Sequence, residues 1–150
     1  MADNKSQDAR SRNMAAIKGK DTKPELFLRS ALFCKGLRYR KNVKSLPGCP
    51  DMWLAKYHTA IFVNGCFWHR HKDCKYAYMP KSRTEFWMTK FEKNEKRDTE
   101  VRERLKENNI RVLTVWECTI RKMQSSENDK ENTLNDIIRF LNSDRSEIEL

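Results

Sequence analysis

The sequence predicts an α/β fold in which helices flank a mixed central sheet. Two apolar runs, residues 60–63 and 111–116, have the composition of buried strands. Between them, residues 84–108 carry the apolar spacing of one long helix. A chain of 150 residues is long enough for one hydrophobic core and too short for two independent ones.

The first half of the chain begins with two helical segments. Residues 9–18 favour a short basic helix, which either covers the core or lies against DNA; covering the core is the simpler interpretation. Thr22 and Glu25 have the spacing of a capping box, in which each side chain accepts a backbone N–H. We therefore expect a largely buried helix over residues 26–34, ending near Gly36.

Strands are expected to follow this helix. Residues 37–41 favour a short edge strand, and residues 52–54 and 59–63 favour the two strands of a hairpin. Asp51 opens the first strand of that hairpin, after a turn rich in Pro and Gly. The second strand leads into Asn64-Gly65, a dipeptide that favours a tight turn.

The long helix has an inward stripe that is not wholly apolar. Asn94 and Asp98 interrupt it, and a carboxylate in that position is costly unless it is paired or faces a wet cleft. The stripe consists of Trp87, Phe91, Asn94, Asp98, Val101 and Leu105.

The C-terminal part is predicted to contain a strand, a linker and a helix. Residues 111–116 form the clearest strand and deliver Glu117-Cys118 at its end. Residues 122–132 are polar and are expected to form a linker, and residues 133–141 have the apolar spacing of an amphipathic helix.

The net charge of +10 is concentrated near the N-terminus, because residues 1–50 hold twelve Lys and Arg against four Asp and Glu. Such a distribution favours a polyanionic partner, most simply nucleic acid, over a merely basic protein. No apolar run reaches membrane-spanning length and no apolar signal segment follows Met1, so we expect a soluble protein of the cytoplasm without membrane partners.

Cysteine and histidine residues predict a structural zinc site. Cys66, His71 and Cys74 lie within nine residues, and Cys118 would complete a tetrahedron from a separate strand end. Five cysteines are an odd number, which disfavours a fully paired disulfide framework. The alternative is a set of reduced, buried thiols with a surface histidine.

Acidic residues and a further histidine predict a second, catalytic metal site. Asp51, His69 and Asp98 come from a strand start, a loop and a helix face. A carboxylate beside the strand-end carbonyl of Val63 suits Mg²⁺, and an imidazole nearby can transfer a proton to or from attacking water. In a basic protein this combination favours phosphodiester hydrolysis.

A set of short motifs in fixed order carries a family resemblance. The motifs are Arg12-Asn13-Met14, Asp21-Thr22, residues 46–51 (LPGCPD), residues 62–71 (FVNGCFWHRH), residues 83–87 (RTEFW), Lys93-Asn94, Arg97-Asp98 and residues 115–118 (VWEC). Together they span roughly residues 9–121 and resemble the very-short-patch repair (Vsr) mismatch endonucleases. Gly-Cys-Phe-Trp-His is the most specific of them.

The resemblance implies a restriction-endonuclease-like core and a Mg²⁺-dependent nick. The nick would lie beside the T of a T·G mismatch left by deamination of 5-methylcytosine. Asp51 and the Val63 carbonyl would hold Mg²⁺, and His69 would be the catalytic imidazole. Asp98 and Glu25 would support the site through hydrogen bonds or waters.

The same resemblance assigns the remaining residues. The zinc ligands would be Cys66, His71, Cys74 and Cys118, and the side chains inserted beside the mismatched pair would be Met14, Phe67 and Trp68. Asn64 is a departure, because the best-known family pattern has a second histidine there. Asn64 can hydrogen-bond a phosphate or a water as part of the catalytic site, but it cannot carry a proton at neutral pH.

These expectations define the domain organisation and the partners. Residues 1–20 would be a DNA-contacting arm, and residues 21–150 one endonuclease domain. The substrate would be double-stranded DNA with a T·G mismatch, bound by a monomer in the nucleoid, with mismatch-repair proteins as further partners. Two alternatives are a zinc-supported DNA-binding module whose nuclease centre has lapsed and a restriction-type nickase on matched DNA.

Overall fold

A mixed sheet forms the centre of the molecule in a computed structural model that describes residues 21–150. Its five strands lie in chain order, β1-β2-β3-β4-β5. The pairs β1–β2 and β2–β3 are antiparallel, whereas β3–β4 and β4–β5 are parallel, so the predicted mixed sheet is confirmed. The strands are β1 (Arg40–Lys41), β2 (Met52–Leu54), β3 (Thr59–Asn64), β4 (Arg111–Trp116) and β5 (Glu147–Glu149).

Helices flank this sheet, as predicted. A short 3₁₀ turn, Ala55–Tyr57, joins the two strands of the β2–β3 hairpin. The hydroxyl of Thr22 caps the first α-helix by accepting the Glu25 N–H at 3.4 Å. The α-helices are α1 (Lys23–Cys34), α2 (Thr84–Glu107), α3 (Glu117–Ser125) and α4 (Glu127–Leu141). None of these helices is long and apolar enough to cross a membrane.

The two faces of the sheet are covered unequally, because successive side chains of a strand point to opposite faces. On one face, Ile61, Leu113 and Val115 pack with α1, α3 and α4 in the larger hydrophobic core. On the other face, Ala60 and Val112 meet α2 in a smaller cluster. Helix α2 thus covers only part of its face, and the uncovered part borders a cleft.

Helix α2 confirms the predicted inward stripe. All six stripe residues are buried or half-buried, and Arg102 is the only other position of the helix that is not exposed. The two polar stripe residues, Asn94 and Asp98, are half-buried and hydrogen-bonded to the loop after β3.

Helix α1 is less buried than predicted. Leu26 and Phe33 are 51% and 53% exposed, whereas Leu28 and Leu32 are fully buried. Only one side of α1 faces the sheet and α3, so apolar residues on its opposite side remain in solvent. Gly36 follows the helix with a positive φ of 86°, as a helix terminator does.

The predicted linker at residues 122–132 is wrong. Helix α3 continues to Ser125, and α4 starts at Glu127, six residues before the predicted start. Ser126 separates the two helices, and its hydroxyl accepts the Asp129 N–H at 3.2 Å. The segment is polar because both helices expose their outer sides, whereas Ile120, Met123 and Leu134 are buried.

Burial predicts the energetic difference between two leucines of α1. Leu28→Ala should lower the free energy of unfolding by about 2–5 kcal/mol, because it leaves a cavity in the larger core. The matched control Leu26→Ala should change it by less than about 0.5 kcal/mol, because Leu26 is half-exposed. Urea unfolding followed by circular dichroism measures both values, and equal losses would contradict this description of the core.

Candidate functional site

Three cysteines and one histidine lie close together beyond the carboxyl ends of β3 and β4. One ligand atom from each of Cys66, His71, Cys74 and Cys118 lies within 4.8 Å of all the others. Cys118 Sγ is 3.4 Å from His71 Nδ1, and the Cys118 N–H donates to Cys66 Sγ at 3.4 Å. The structure therefore brings together all four residues predicted to bind zinc.

The parallel pairing of β3 with β4 positions these ligands. Asn64 pairs with Trp116, so the residues that follow both strands emerge side by side. Cys118 lies in the first turn of α3, directly after β4. The loop after β3 folds back on itself, because the His71 N–H donates to the Cys66 carbonyl at 3.0 Å.

The electrostatics of this cluster suit a bound cation. Burial raises the pKa of the Cys66 thiol to about 12, against the opposing hydrogen bond from the Cys118 N–H, and the Cys118 thiol raises it further. Burial lowers the pKa of His71, whose ring stacks on Trp116 at 4.1 Å, and this shift favours the neutral, metal-binding form of the imidazole. For Cys74, burial opposes ionisation, but hydrogen bonds led by the Tyr76 amide lower the pKa. A cation among the three sulfurs would favour their ionised forms, so the donor set fits a tetrahedral metal ion of the zinc type.

Asp51, which directly precedes β2, is held beside the carboxyl end of β3. Its Oδ2 accepts the Val63 N–H at 2.7 Å, and this hydrogen bond fixes the carboxylate at the end of β3. The preceding turn packs against α2, where a Cβ at Gly48 would collide with Val101. Gly48 also has a positive φ of 75°, so glycine is required there for both reasons.

Burial dominates the titration of Asp51. It raises the pKa of that carboxyl to about 7, against the opposing hydrogen bond from Val63. Repulsion from Glu25 raises the pKa further, whereas the charges of Arg29 and His69 lower it. These groups therefore share one electrostatic neighbourhood.

His69 forms a hydrogen-bonded pair with Asp98. His69 Nδ1 lies 2.7 Å from Asp98 Oδ2, and the two side chains are 31% and 28% exposed. With Nδ1 directed at a carboxylate, Nε2 is the ring atom able to exchange a proton with a substrate or water. The structure thus pairs His69 with Asp98, and the charge of His69 also acts on the Asp51 carboxyl.

Glu25 lies behind Asp51 on helix α1. It is 4% exposed, and its Oε2 accepts the Asp21 N–H at 2.8 Å and Arg29 Nη2 at 3.3 Å. The capping box is therefore altered, because the Glu25 carboxylate accepts from Asp21 and not from Thr22.

An open cleft of about 830 Å³ lies along α2 and the partly covered face of the sheet. Asn64, His69 and Asp98 line it, whereas Asp51 lies outside its lining. Its charged residues are evenly divided, so the cleft itself is not strongly basic. They are Arg70, Lys72, Arg97 and Arg102 with Asp73, Glu95, Asp98 and Glu149.

Phe67 lies at the centre of an aromatic cluster on the same loop. Its ring centroid is 5.1 Å from that of Phe91, 5.2 Å from those of Trp68 and Tyr78, and 5.4 Å from that of Trp87. Phe67 and Trp68 are both half-buried. Met14, the third predicted inserting residue, lies outside the described residues.

Two arginines take part in the site although the sequence did not single them out. Arg70 stacks over Phe91 at 3.9 Å and donates to the Phe67, Ala77 and Tyr78 carbonyls, so it braces the loop. Arg29 is 3% exposed and contacts both Glu25 and the Asp51 backbone. Helical spacing could have indicated that Arg29 is buried, because Arg29 lies on the same side of α1 as Leu28 and Leu32.

Comparisons with known proteins identify the family of this chain. A family model described as DNA mismatch endonuclease Vsr matches residues 2–76. DNA mismatch endonuclease Vsr of Escherichia coli K12 is 46% identical over 121 residues, which cover 81% of this chain and 77% of the relative. The type II nicking enzyme V.NmeAIP of Neisseria meningitidis serogroup A is 44% identical over 108 residues, which cover 72% of this chain and 76% of the relative.

A third relative matches over nearly its whole length. The type II nicking enzyme V.XorIIP of Xanthomonas oryzae pv. oryzae is 37% identical over 134 residues, 89% of this chain and 98% of its own. The family match covers half of the chain, and the three relatives are each more than 35% identical over more than two thirds of it. The chain belongs to the Vsr family of DNA mismatch endonucleases.

Proposed function

We propose that this protein makes a Mg²⁺-dependent single-strand nick beside the T of a T·G mismatch that arises by deamination of 5-methylcytosine. The observation that carries the proposal is that His69, which is paired with Asp98, acts electrostatically on an Asp51 carboxylate fixed at the end of β3. Membership of the family makes DNA the substrate, and the geometry supplies an acid, an oriented imidazole and an adjoining cleft.

Asp51 and the Val63 carbonyl are the proposed ligands of the magnesium ion. The Val63 N–H occupies one oxygen of the carboxylate, so the other remains for a cation. Hard oxygen donors of this kind fit Mg²⁺, and a buried carboxylate gains from a neighbouring positive charge. A magnesium ion held by these ligands would supply positive charge to the scissile phosphate and would make a coordinated water more acidic.

His69 is the proposed proton-transfer residue. The carboxylate of Asp98 holds its ring and favours the tautomer in which Nε2 is unprotonated, ready to take a proton from attacking water. Glu25 supports the site from behind Asp51. Asn64 lines the cleft with His69 and offers hydrogen bonds to a phosphate or water without carrying a proton.

Zinc is the proposed occupant of the Cys66, His71, Cys74 and Cys118 cluster, because three thiolates and one imidazole form a typical structural zinc site. Residues 65–83 contain no helix or strand, so a bound ion would hold this loop against the start of α3. The loop presents Phe67 and Trp68, which we assign with Met14 to insertion beside the mismatched pair.

The remaining organisation follows from this assignment. Residues 21–150 form one endonuclease domain with a core of the restriction-endonuclease type, and residues 1–20 serve as a DNA-contacting arm. The protein acts as a monomer on nucleoid DNA in the cytoplasm, where mismatch-repair proteins act on the same substrate.

A nickase that acts on matched DNA is the second candidate function. Several relatives, among them V.NmeAIP and V.XorIIP, are named type II nicking enzymes. Matched and mismatched duplexes distinguish the two candidates. A DNA-binding module with a lapsed nuclease centre would bind both duplexes with strong salt dependence and cut neither in any divalent metal.

The first prediction concerns the nick. With Mg²⁺, the wild type should cut only the T-containing strand of a labelled T·G duplex, and Asp51→Asn should slow cutting by about a hundredfold or more, because the anionic ligand is lost. Asp136→Asn, a surface change on α4, should retain the wild-type rate. A nick that survives in Asp51→Asn, or equal cutting of matched DNA, would refute the proposal.

The second prediction concerns zinc. Elemental analysis of protein purified without added metal should find one zinc ion per chain, and Cys118→Ser should lose it because a tetrahedral site needs all four ligands. Cys34→Ser, which changes an exposed cysteine, should keep the ion. A folded, zinc-free wild type would contradict the assignment.

The third prediction concerns mismatch discrimination. Trp68→Ala should weaken binding of the T·G duplex by about tenfold, because base–aromatic stacking contributes roughly 1–3 kcal/mol. Binding of the matched duplex should change much less, since unstacking costs least at a mispair. Fluorescence anisotropy measures both affinities, with Phe33→Ala as a remote aromatic control; equal losses on the two duplexes would count against insertion.

A further inference from the structure

Arg29 is a buried cation in contact with the backbone of the proposed metal ligand. Its guanidinium is 3% exposed, and Nη2 donates to the Asp51 carbonyl at 3.3 Å and to Glu25 Oε2 at 3.3 Å. Nη1 lies 2.6 Å from Asp21 Oδ1. One side chain of α1 is thus connected both to the start of β2 and to the carboxylate predicted to support the site.

Asn42 completes this network. Its Oδ1 accepts Arg29 Nη2 at 3.2 Å, and its Nδ2 donates to Asp21 Oδ1 at 3.1 Å. The Asn42 N–H donates to the Asp51 carbonyl at 3.3 Å, so that carbonyl accepts from two sides. The backbone of Asp51 is therefore fixed by α1 and by the end of β1 before any ligand binds.

The charges of the network explain why an arginine is placed there. Glu25 is 4% exposed and its charge acts on the Asp51 carboxylate, so two acidic groups lie close together in a poorly solvated region. Burying like charges without a counter-ion is strongly unfavourable. Arg29 supplies a permanent positive charge. The planar guanidinium also contacts several acceptors at once, which the ammonium group of Lys cannot do in the same geometry.

We propose that Arg29 is a positioning residue that holds Glu25 and the Asp51 backbone in place, and that its fixed charge limits the affinity of the site for a divalent cation. The inference rests on the proposed function in one respect, namely that Asp51 binds the cation. It adds that the acidic groups are balanced in advance, so that the pocket keeps its geometry without metal.

A binding measurement with Mn²⁺ as the probe tests this inference. Arg29→Met removes the charge at similar length, so the dissociation constant for Mn²⁺, measured by electron paramagnetic resonance, should fall about three- to tenfold. Arg29→Lys keeps the charge, so Mn²⁺ affinity should remain near the wild-type value. Lys35→Met is the matched control, because Lys35 is another basic residue at the end of α1, and its ion pair is with the half-exposed Glu131 of α4.

Cutting of the T·G duplex gives the positioning readout. Arg29→Met should lower kcat at saturating Mg²⁺ while less Mg²⁺ is needed for half-maximal rate, whereas a purely structural defect would not tighten cation binding. Unchanged Mn²⁺ affinity in Arg29→Met would overturn the inference. Absence of Mn²⁺ binding at the Asp51 site in the wild type, shown by an unaltered titration in Asp51→Asn, would instead overturn the proposed function.

Glu25→Gln is the second variant for the Mn²⁺ measurement, to be used if Arg29→Met does not fold. This nearly isosteric change leaves Arg29 without its buried counter-ion, so the uncompensated positive charge should weaken Mn²⁺ binding by about tenfold or more. Thermal unfolding of the zinc-containing protein without Mn²⁺ shows whether the variant is folded. Mn²⁺ affinity equal to that of the wild type in folded Glu25→Gln would show that the charge of this network does not reach the cation.

Discussion

Parallel pairing between β3 and β4 is the constraint on which the site depends. Hydrogen bonding in register brings Asn64 beside Trp116, so a loop and a helix start from the same end of the sheet. The loop carries Cys66, and the helix begins next to Cys118. Residues separated by 52 positions in the chain are thereby placed within hydrogen-bonding distance.

The hairpin of β2 and β3 adds the acidic ligand to the same region. Antiparallel pairing sets Met52 opposite Ile61, and the carboxylate that precedes Met52 reaches the Val63 N–H. Because β3 takes part in both pairings, the acidic pocket and the sulfur cluster share one strand. Movement of that strand would affect both sites together.

Outside the sheet, polar and aromatic contacts hold the loop after β3 in place. The loop after β3 has no regular secondary structure, and its fixed points are Cys66 in the cluster, the Arg70 hydrogen bonds and the stacking of Phe67 on α2. Asn94 adds a hydrogen bond to the Trp68 carbonyl at 3.0 Å. The polar interruptions in the α2 stripe are therefore explained by the loop, since both Asn94 and Asp98 bind it.

The sequence by itself determined β2, β3, β4, the long helix and the residue types of both sites, but it did not predict β5. Short motifs were sufficient for this, because ligand chemistry and apolar periodicity are local properties. It did not determine the boundary between α3 and α4 or the burial of Arg29, because both depend on which side of a helix faces the core.

Only the tertiary structure decided how these groups act on one another. The partnership of His69 with Asp98, the raised pKa of Asp51 and the embedding of Phe67 among aromatic rings arise from contacts between distant segments. Burial and the distances between charges are properties of the folded chain. Local sequence records which groups are present, and the packing of strands against helices sets the energy with which they interact.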